Sequence, residues 1–213
     1  MYRIAAKKDI PGIVALWQEA FHETPVLPEA ASFVAEQDGK IVCMLHALPQ
    51  TLRATRDHKA AYLYAIATKQ EYRGQGLCRG LMAYAESVLD ADCCVLVPAS
   101  ASLFDFYRSL GYQTAFTRDR TAFTGGEEIS AEEYLSLREQ LLTCPHMVYE
   151  DLGYAQTLYG LKFYKTPRGI CAASERFTAE RIPEDFSQAP YGMIKWLRNK
   201  EPVGNAFLGF SLE

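Results

Sequence analysis

The sequence predicts a mixed α/β protein with a mixed sheet, and two features of its pattern carry that prediction. Strand-like apolar segments alternate with amphipathic segments of helical period up to about residue 124, and a glycine-rich turn separates a buried strand from a helix. After residue 126 the pattern changes to shorter elements with many aromatic side chains. We therefore expect an α/β domain over residues 1–126 and an additional α+β C-terminal part over residues 127–213.

The first predicted elements are a strand and a helix. Residues 2–5 have the composition of a short strand, and residues 7–21 place apolar side chains along one helical face. Asp9 is expected to be the N-cap of this helix, because a carboxylate oxygen can accept a hydrogen bond from a first-turn N–H group. Pro11 fits the first turn, where its missing N–H group would have no helical partner.

A hairpin and a central strand follow. Residues 32–48 contain two strands joined by Asp38 and Gly39, a pair that favours the type I′ turn, in which both central residues have positive φ. Residues 60–68 are apolar on both faces of the predicted strand. A strand of this kind is covered on both faces, so we expect it at the centre of the sheet.

The next elements flank the glycine-rich segment and complete the first domain. A helix over residues 77–89 and a buried strand over residues 93–99 are indicated by their apolar patterns. The following helix is expected to begin after Ser100 as N-cap and to end at Gly111, because glycine readily adopts the left-handed conformation found after many helices. Residues 112–123 have the composition of a strand.

The C-terminal part is expected to be ordered, because it is too rich in aromatic residues for a disordered tail. Its first helix shows the start of a capping box in Ser130 and Glu133. The expected elements are this helix over residues 130–142, a second helical segment over 149–161, a hairpin over 161–177 around Pro167 and Gly169, and strands over 191–197 and 206–213.

Composition narrows the class of protein. The net charge of −4 argues against nucleic-acid binding, which favours a strongly basic surface. The apolar runs are shorter than the roughly 20 residues of a membrane span, and the N-terminus lacks the apolar core of a signal peptide. The six cysteines form no CxxC pair and the four histidines add no ligand pair at metal spacing. We therefore expect a cytoplasmic protein with reduced thiols, no metal and no membrane partner.

Residues 73–78, here called the glycine turn, are the strongest local signal of a binding site. A strand, a glycine-rich turn and a helix N-terminus together direct unpaired N–H groups and the positive end of the helix dipole at one place, which suits a phosphate. The dinucleotide fingerprint G-x-G-x-x-G does not fit, because its third glycine would fall at Arg79. A P-loop does not fit either, because no Gly-Lys-Ser/Thr triplet follows.

The segment around the glycine turn resembles motif A of the GCN5-related N-acetyltransferase (GNAT) family, which reads Arg/Gln-x-x-Gly-x-Gly/Ala. The matching residues are Arg73, Gly74, Gln75, Gly76, Leu77 and Cys78, with Cys78 in the place of the usual small residue. The resemblance implies that the backbone amides of this turn hold the pyrophosphate of acetyl-CoA. It also implies that the preceding strand splays from its neighbour and lends main-chain groups to the pantetheine arm. The residues at those positions are Ile66, Ala67 and Thr68.

The segment "FYRSLGY" resembles motif B of the same family. By this resemblance Tyr107 has the place of the tyrosine that protonates the departing thiolate, and Ser100 has the place of a cofactor-contacting asparagine. A serine donates one hydrogen bond where an asparagine donates two. The resemblance covers about residues 2–124, and it implies a GNAT-like acyl-CoA N-acyltransferase fold for that part.

The resemblance implies an N-acetyltransferase that moves the acetyl group of acetyl-CoA to a primary amine of a small molecule or peptide, by direct attack in a ternary complex. The alternative is a catalytically silent sensor or scaffold that binds CoA or acetyl-CoA. The sequence does not identify the general base. The candidates are ordered water and four side chains: Glu19, His22, Glu23 and His46. The C-terminal part either completes the sheet and walls the acceptor site, or is a degenerate second GNAT-like half. The sequence is compatible with a homodimer.

Overall fold

The computed structural model describes most of the chain and divides it into two compact units. The described residues are 1–25, 30–117, 125–149, 152–175, 177–182, 190–204 and 206–210. Of residues 154, 155 and 158 only the backbone is described. The first unit comprises Met1–Pro49, Lys59–Leu96 and Trp196–Asn199. The second unit comprises Gln50–His58, Val97–Lys195 and Lys200–Glu213. The domain boundary expected near residue 126 stays a prediction.

The first unit is an α/β structure built on a mixed sheet, which confirms the predicted fold class. The strands lie in the order β1–β2–β3–β4–β5, with β1, β2 and β3 antiparallel in succession and β4 parallel to β5. Helix α2 packs on β1 and β2. The elements are β1 (Tyr2–Ile4), α1 (Ile10–Phe21), β2 (Ala31–Gln37), β3 (Lys40–Arg53), β4 (Asp57–Thr68), α2 (Leu77–Val88) and β5 (Cys93–Leu96).

The predicted hairpin turn is confirmed between β2 and β3. Asp38 has a φ of 49° and Gly39 a φ of 74°, so both central residues lie in the left-handed region. The central position of β4 is also confirmed, because Ala60–Tyr64 are buried and β4 lies between β3 and β5.

Asp9 lies at the N-cap position of α1, but the prediction that its side chain caps the helix is wrong. Its carboxylate forms a bidentate ion pair with Arg3, whose Nη1 and Nη2 donate at 2.6 and 2.8 Å, and it also accepts from the N–H group of Ala6. A guanidinium offers two parallel charge-assisted donors, which are stronger than one amide. The hydrogen bonds from Arg3 lower the pKa of Asp9 to about 2.

The second unit combines a four-stranded antiparallel sheet with several shorter pairings. The four-stranded sheet has the order β11–β10–β9–β7, β6 pairs with β12, and β8 pairs with Thr51–Arg53 at the end of β3. The elements are α3 (Ala101–Arg108), β6 (Gln113–Thr117), β7 (Glu127–Ile129), α4 (Ala131–Leu141), β8 (His146–Val148), α5 (Gly153–Tyr159), β9 (Lys162–Thr166), β10 (Gly169–Ala173), β11 (Thr178–Ile182) and β12 (Pro190–Trp196).

The C-terminal elements match the prediction in part. The hairpin of β9 and β10 and the strand β12 are confirmed, and Ser130 Oγ accepts from the N–H group of Glu133 at 3.1 Å. Three short strands, β7, β8 and β11, were not predicted. The predicted strand over 206–213 is wrong over its described part, where Ala206 and Phe207 form only isolated bridges. Residues 211–213, and residues 118–123 of the strand predicted over 112–123, lie outside the described residues.

A buried ion pair lies in the core of the second unit. Arg138 on α4 and Glu180 on β11 are both buried, and Arg138 Nε donates to Glu180 Oε1 at 2.9 Å. The hydroxyl of Tyr134 donates to the same carboxylate oxygen at 2.8 Å, and Arg138 Nη1 donates to the carbonyl of Met147 at 2.6 Å. Burial, followed by the charge of Glu180, raises the pKa of Tyr134, so its hydroxyl stays protonated and remains a donor.

The same ion pair lies against the segment at residues 206–210. The guanidinium of Arg138 lies 4.9 Å from the ring centre of Tyr149 and 5.5 Å from that of Phe207. Gly209 has a φ of 75°, and a Cβ atom there would come within 1.8 Å of Glu180 Oε2. A side chain at this position would therefore meet both a disfavoured backbone conformation and the buried carboxylate.

Candidate cofactor site

The backbone of the glycine turn has the conformation that only glycine adopts without strain. Gly74 has a φ of 78° and Gly76 a φ of 75°. A Cβ atom built on either residue would meet no other atom within 4 Å, so the space above the turn is open. The two glycines are therefore required by backbone conformation, and the open space above them suits a ligand that approaches the main chain.

The glycine turn leads directly into the N-terminus of α2. Gly76 is the N-cap, and it offers no side chain to occupy the first-turn amides. Helix geometry leaves the N–H groups at Leu77 and Cys78 without an intrahelical acceptor, and the helix dipole adds partial positive charge at the same place. The arrangement fits the phosphate-binding role that the sequence predicts for residues 73–78.

Gly80 is required for packing, whereas the two glycines of the turn are required for their backbone conformation. A Cβ atom at Gly80 would lie 2.1 Å from the hydroxyl oxygen of Tyr2, so the glycine allows β1 to pack closely against α2. The dinucleotide fingerprint would have its third glycine one residue earlier, at position 79. The glycine at position 80 is thus explained by packing.

The end of β4 is joined to the glycine turn by hydrogen bonds. Arg73 Nε donates to the carbonyl of Thr68 at 3.1 Å. Between them lies a 3₁₀ helix, Gln70–Tyr72, whose first N–H group donates to Glu19 Oε1 of α1 at 3.3 Å. The structure therefore brings together the two segments that the family resemblance assigns to the cofactor, Ile66–Thr68 and Arg73–Cys78.

The pairing of β4 with β5 ends before the residues that the resemblance assigns to the pantetheine arm. The register between the two strands runs from Ala60 opposite Cys93 to Tyr62 opposite Val95, and no further pair joins them in the described residues. Beyond this point Ala65 has a φ of 49°, an uncommon conformation for a residue with a Cβ atom. The kink turns the backbone at Ala65, directly before Ile66, Ala67 and Thr68.

Cys78 lies at the second position of α2. The thiol of Cys43 on β3, followed by burial, raises the pKa of the Cys78 thiol, and the Sγ atom of Cys43 lies 3.1 Å from Thr68 Oγ1. Cys78 is half-buried, whereas Arg73, Gly74, Gln75 and Gly76 are exposed. The larger side chain at this motif position is thus accommodated below the turn, on the side of Cys43.

The motif B residues lie on α3 in the second unit. Ser100 is the N-cap of α3, but its hydroxyl bonds to Ser102 Oγ at 3.0 Å and does not cap the helix. Gly111, with a φ of 92°, ends the helical segment as predicted. Its N–H group donates to the carbonyl of Arg108, and that of Tyr112 donates to the carbonyl of Tyr107. This pair of bonds is a Schellman motif, which fixes the backbone of Tyr107.

The Tyr107 ring is held by aromatic neighbours. It is 6% exposed, and its ring centre lies 5.2 Å from that of Phe106 and 6.0 Å from that of Tyr112. The roles assigned to Tyr107 and Ser100 by resemblance stay predictions.

Three of the four candidate bases lie at the end of α1. His22 is exposed in the left-handed conformation at its C-cap, with a φ of 59°. Glu23 accepts a hydrogen bond from Trp17 Nε1 at 3.3 Å, and Glu19 contacts the 3₁₀ helix. Glu19 therefore supports the segment between β4 and the glycine turn, a structural role that the sequence pattern did not indicate.

His46, the fourth candidate base, is buried among aromatic rings. Its Nδ1 lies 2.8 Å from Ser32 Oγ, and its ring centre lies 5.5 Å from that of Trp17 and 5.4 Å from that of Tyr64. Burial lowers the pKa of His46 to about 4. A general base works best with a pKa near the working pH, so His46 is poorly suited to take a proton from an ammonium group.

Comparisons with known proteins place the chain in a family. The sequence matches the family model described as the acetyltransferase (GNAT) domain over residues 1–115, more than half of the chain. A probable N-acyltransferase from Enterococcus faecalis has a similar structure, with a TM-score of 0.67 and 15% identity over 92% of this chain and 72% of that chain. A GCN5-related N-acetyltransferase from Anabaena variabilis gives a TM-score of 0.66 at 15% identity, over 93% and 73% of the two chains.

A third similar structure is a GCN5-related N-acetyltransferase from Kribbella flavida, with a TM-score of 0.63 and 13% identity over 92% of this chain and 72% of that chain. No curated protein matches the sequence. The fold is that of the GNAT acyltransferases. The chain belongs to the GNAT family of acetyltransferases, as its match over residues 1–115 shows.

No helix in the described part of the chain is long and apolar enough to cross a membrane. Among the residues that the structure describes, no group of three or more His, Cys, Asp and Glu side chains is placed to hold a metal ion.

The geometry of the glycine turn makes a direct prediction for Gly76. A valine at Gly76 is expected to weaken CoA binding at least tenfold, because losing even one hydrogen bond to a charged group costs about 1.5–3 kcal/mol. The side chain would fill the open space above the turn, and its strain would shift the backbone amides. Isothermal calorimetry with CoA measures the effect.

Gly39→Val is the matched control. Gly39 has a φ of 74° and also has open space at the Cβ position, but it lies in the β2–β3 hairpin. Both variants should lose similar folding stability, whereas only Gly76→Val should lose CoA affinity. Equal CoA affinity in the two variants would contradict a binding role for the glycine turn.

Proposed function

We propose that this acetyltransferase moves the acetyl group of acetyl-CoA to a primary amine of a small molecule or peptide, by direct attack of the amine in a ternary complex. The observation that carries the proposal is the junction of two features within the first unit. An open, left-handed glycine turn at the N-terminus of α2 is hydrogen-bonded to the end of β4, and the pairing of β4 with β5 stops at Tyr62, before that end.

The residues of the first unit bind and orient the cosubstrate. The N–H groups of residues 74–78 and the dipole of α2 would hold the pyrophosphate, since each N–H group can donate to a phosphate oxygen. Main-chain groups of Ile66, Ala67 and Thr68 would bind the amides of the pantetheine arm as a neighbouring strand would. Arg73 supports this arrangement through its bond to the carbonyl of Thr68. The exposed Gln75 borders the same site, and Leu77 is buried beneath it.

The transfer needs a polarised carbonyl, a neutral amine and a proton for the thiolate. A main-chain N–H group near the kink at Ala65 would donate to the carbonyl oxygen as it gains negative charge. The amine nitrogen would form a bond to the carbonyl carbon, and the carbon–sulfur bond would then break. Tyr107 would give its phenolic proton to the departing thiolate, and Ser100 would donate one hydrogen bond to the cosubstrate. An ordered water, or one of the glutamates at the end of α1, would take the proton from the amine.

The proposed setting is the cytoplasm. All six cysteines are free thiols, with Cys43, Cys93, Cys94 and Cys171 buried, which suits a reducing compartment.

A paired assay tests the proposal. The full chain is incubated with acetyl-CoA and a panel of amines (polyamines, aminoglycosides, amino-acid amides and N-terminal peptides), and released thiol is measured. Thermal stabilisation by CoA is measured in parallel, since a ligand that binds only the folded state raises the melting temperature. Thiol release with at least one amine is expected. Stabilisation by CoA without thiol release for any amine would favour a silent CoA-binding protein over the proposed transferase.

A further inference from the structure

The side chain of Glu19 on α1 reaches the segment that joins β4 to the glycine turn. Its Oε1 atom accepts a hydrogen bond from the N–H group of Gln70 at 3.3 Å, and its Oε2 atom lies 4.0 Å from the ammonium group of Lys69. Gln70 is the first residue of the 3₁₀ helix Gln70–Tyr72, which directly precedes Arg73. Helix α1 thus contacts the backbone that leads into the predicted phosphate site.

This contact supplies a cap that the 3₁₀ helix lacks. The first N–H groups of a helix have no acceptor within it, and the residue before the helix often provides one from its side chain. Here that residue is Lys69, which makes no such bond because an ammonium group has donors only. The N–H group of Lys69 donates to the carbonyl of Val42 on β3 at 2.9 Å. The acceptor for the N–H group of Gln70 therefore comes from α1, through Glu19.

Further hydrogen bonds connect the capped residue to the glycine turn. The carbonyl of Gln70 accepts from the N–H group of Arg73 at 3.3 Å, and Arg73 Nε donates to the carbonyl of Thr68 at 3.1 Å. Gly74, the first glycine of the turn, follows Arg73 directly. A shift of Gln70 would therefore be passed to Arg73 and to the N–H groups of the turn.

We propose that Glu19 is a positioning residue for the glycine turn and is not the general base. This role rests on the proposed function, because it narrows the base in that reaction to ordered water or Glu23. A base takes a proton from the amine in every turnover. A proton on Glu19 would remove the negative charge that strengthens its bond with Gln70 and attracts Lys69.

The ion pair with Lys69 is secondary to the cap. Glu71 Oε1 lies 3.3 Å from Lys69 Nζ, closer than Glu19 does. The hydrogen bond with Glu71 is the largest cause that raises the pKa of Lys69, and the charge of Glu19 adds less. Both carboxylates are exposed, and exposed ion pairs contribute little to stability. Glu71→Ala is therefore a matched control, because it removes the closer ion pair and leaves the bond between Glu19 and Gln70.

Two substitutions of Glu19 separate a positioning residue from a general base. Glu19→Gln keeps a side-chain oxygen that can accept from Gln70 but cannot act as a base, whereas Glu19→Ala removes both properties. Steady-state kinetics is measured with acetyl-CoA and an amine found in the paired assay. Glu19→Gln and Glu71→Ala should stay within about twofold of the wild type in kcat and KM. Glu19→Ala should raise the KM for acetyl-CoA about fivefold with little change in kcat, a fold-change that corresponds to the loss of one helix cap, about 1 kcal/mol.

A general base gives the opposite pattern. Both Glu19 variants would then lower kcat on the order of 10²-fold, and the glutamine would not rescue activity. That result would overturn the proposal, and so would an equal KM for acetyl-CoA in Glu19→Ala and Glu19→Gln. Isothermal calorimetry with CoA should show the same order of affinities, with Glu19→Ala the weakest.

Amide hydrogen exchange at Gln70 tests the cap independently of the reaction. NMR of the full chain should show faster exchange of this N–H group in Glu19→Ala than in the wild type, Glu19→Gln or Glu71→Ala. The Glu71 variant also removes a nearby negative charge, so it controls for the effect of charge on exchange. Equal rates in all four proteins would overturn the cap. Failure of the wild type to release thiol with any amine would instead contradict the proposed function, while the exchange rates still decide whether Glu19 holds Gln70.

Discussion

Replacing Arg138 with methionine is expected to lower the free energy of unfolding by about 3–5 kcal/mol, the cost of leaving a buried charge without its partner. Arg138 and Glu180 are both buried, and methionine keeps much of the side-chain volume without the charge. The variant would leave the Glu180 carboxylate with the hydroxyl of Tyr134 as its remaining donor among the contacts described above. Urea unfolding followed by circular dichroism measures the loss.

Two further variants separate the charge from the loss of packing. Adding Glu180→Gln to Arg138→Met removes the unpaired charge, so the double variant should be more stable than the single one. Arg108→Met is the control for the substitution itself, because Arg108 forms an exposed ion pair with Asp105, and its loss should stay within about 0.5 kcal/mol. If the single variant does not fold, recovery of folding in the double variant supports the same conclusion. Equal stability of the Arg138 and Arg108 variants would contradict it.

Replacing Tyr107 with phenylalanine is expected to lower kcat on the order of 10²-fold, as is typical when one general acid is lost. The substitution keeps the ring, which packs against Phe106 and Tyr112, and the Schellman motif depends only on the backbone. Folding and CoA affinity should therefore be retained. The effect should appear in kcat more than in KM, because the proton matters mainly in the transition state. Steady-state kinetics with an amine found in the paired assay measures it.

Tyr112→Phe is the matched control for this variant. Tyr112 is 3% exposed and contacts the Tyr107 ring edge-on, so it has a similar environment. Its loss of a hydroxyl should leave kcat within about twofold if the acid role belongs to Tyr107. Comparable losses of kcat in both variants would show that packing around the two rings, and not proton transfer from Tyr107, limits the rate.

Local signals in the sequence predicted the local structure well. The Asp38-Gly39 turn, the glycine after α3 and the serine at the start of α4 each depend on one or two neighbouring residues, and the structure confirms all three. Asp9 shows where this reasoning fails. Its expected helix-capping bond was displaced by Arg3, whose guanidinium reaches it across the end of β1, and no rule about helix starts includes such a competitor.

The candidate site was predictable where it follows a motif and unpredictable where it depends on contacts distant in sequence. Gly74 and Gly76 have the conformation that the motif requires, whereas Gly80 is explained by Tyr2, near the start of the chain. Alanine has no preference for positive φ, so nothing in the sequence marks the kink at Ala65. The contact of Cys43 Sγ with Thr68 Oγ1, at 3.1 Å, likewise joins two residues that are distant in sequence.

The short pairing between β4 and β5 also bears on aggregation. A strand that ends its pairing early presents unpaired N–H and C=O groups, and at the outer edge of a sheet such groups recruit strands from other molecules. Here β4 lies inside the sheet, between β3 and β5, and its pairing with β5 covers only Ala60–Tyr62. A narrow extended ligand needs less room beside the rest of β4 than a full strand with side chains on both faces. The protein can therefore keep a row of hydrogen-bonding groups available without exposing an outer edge to its own copies.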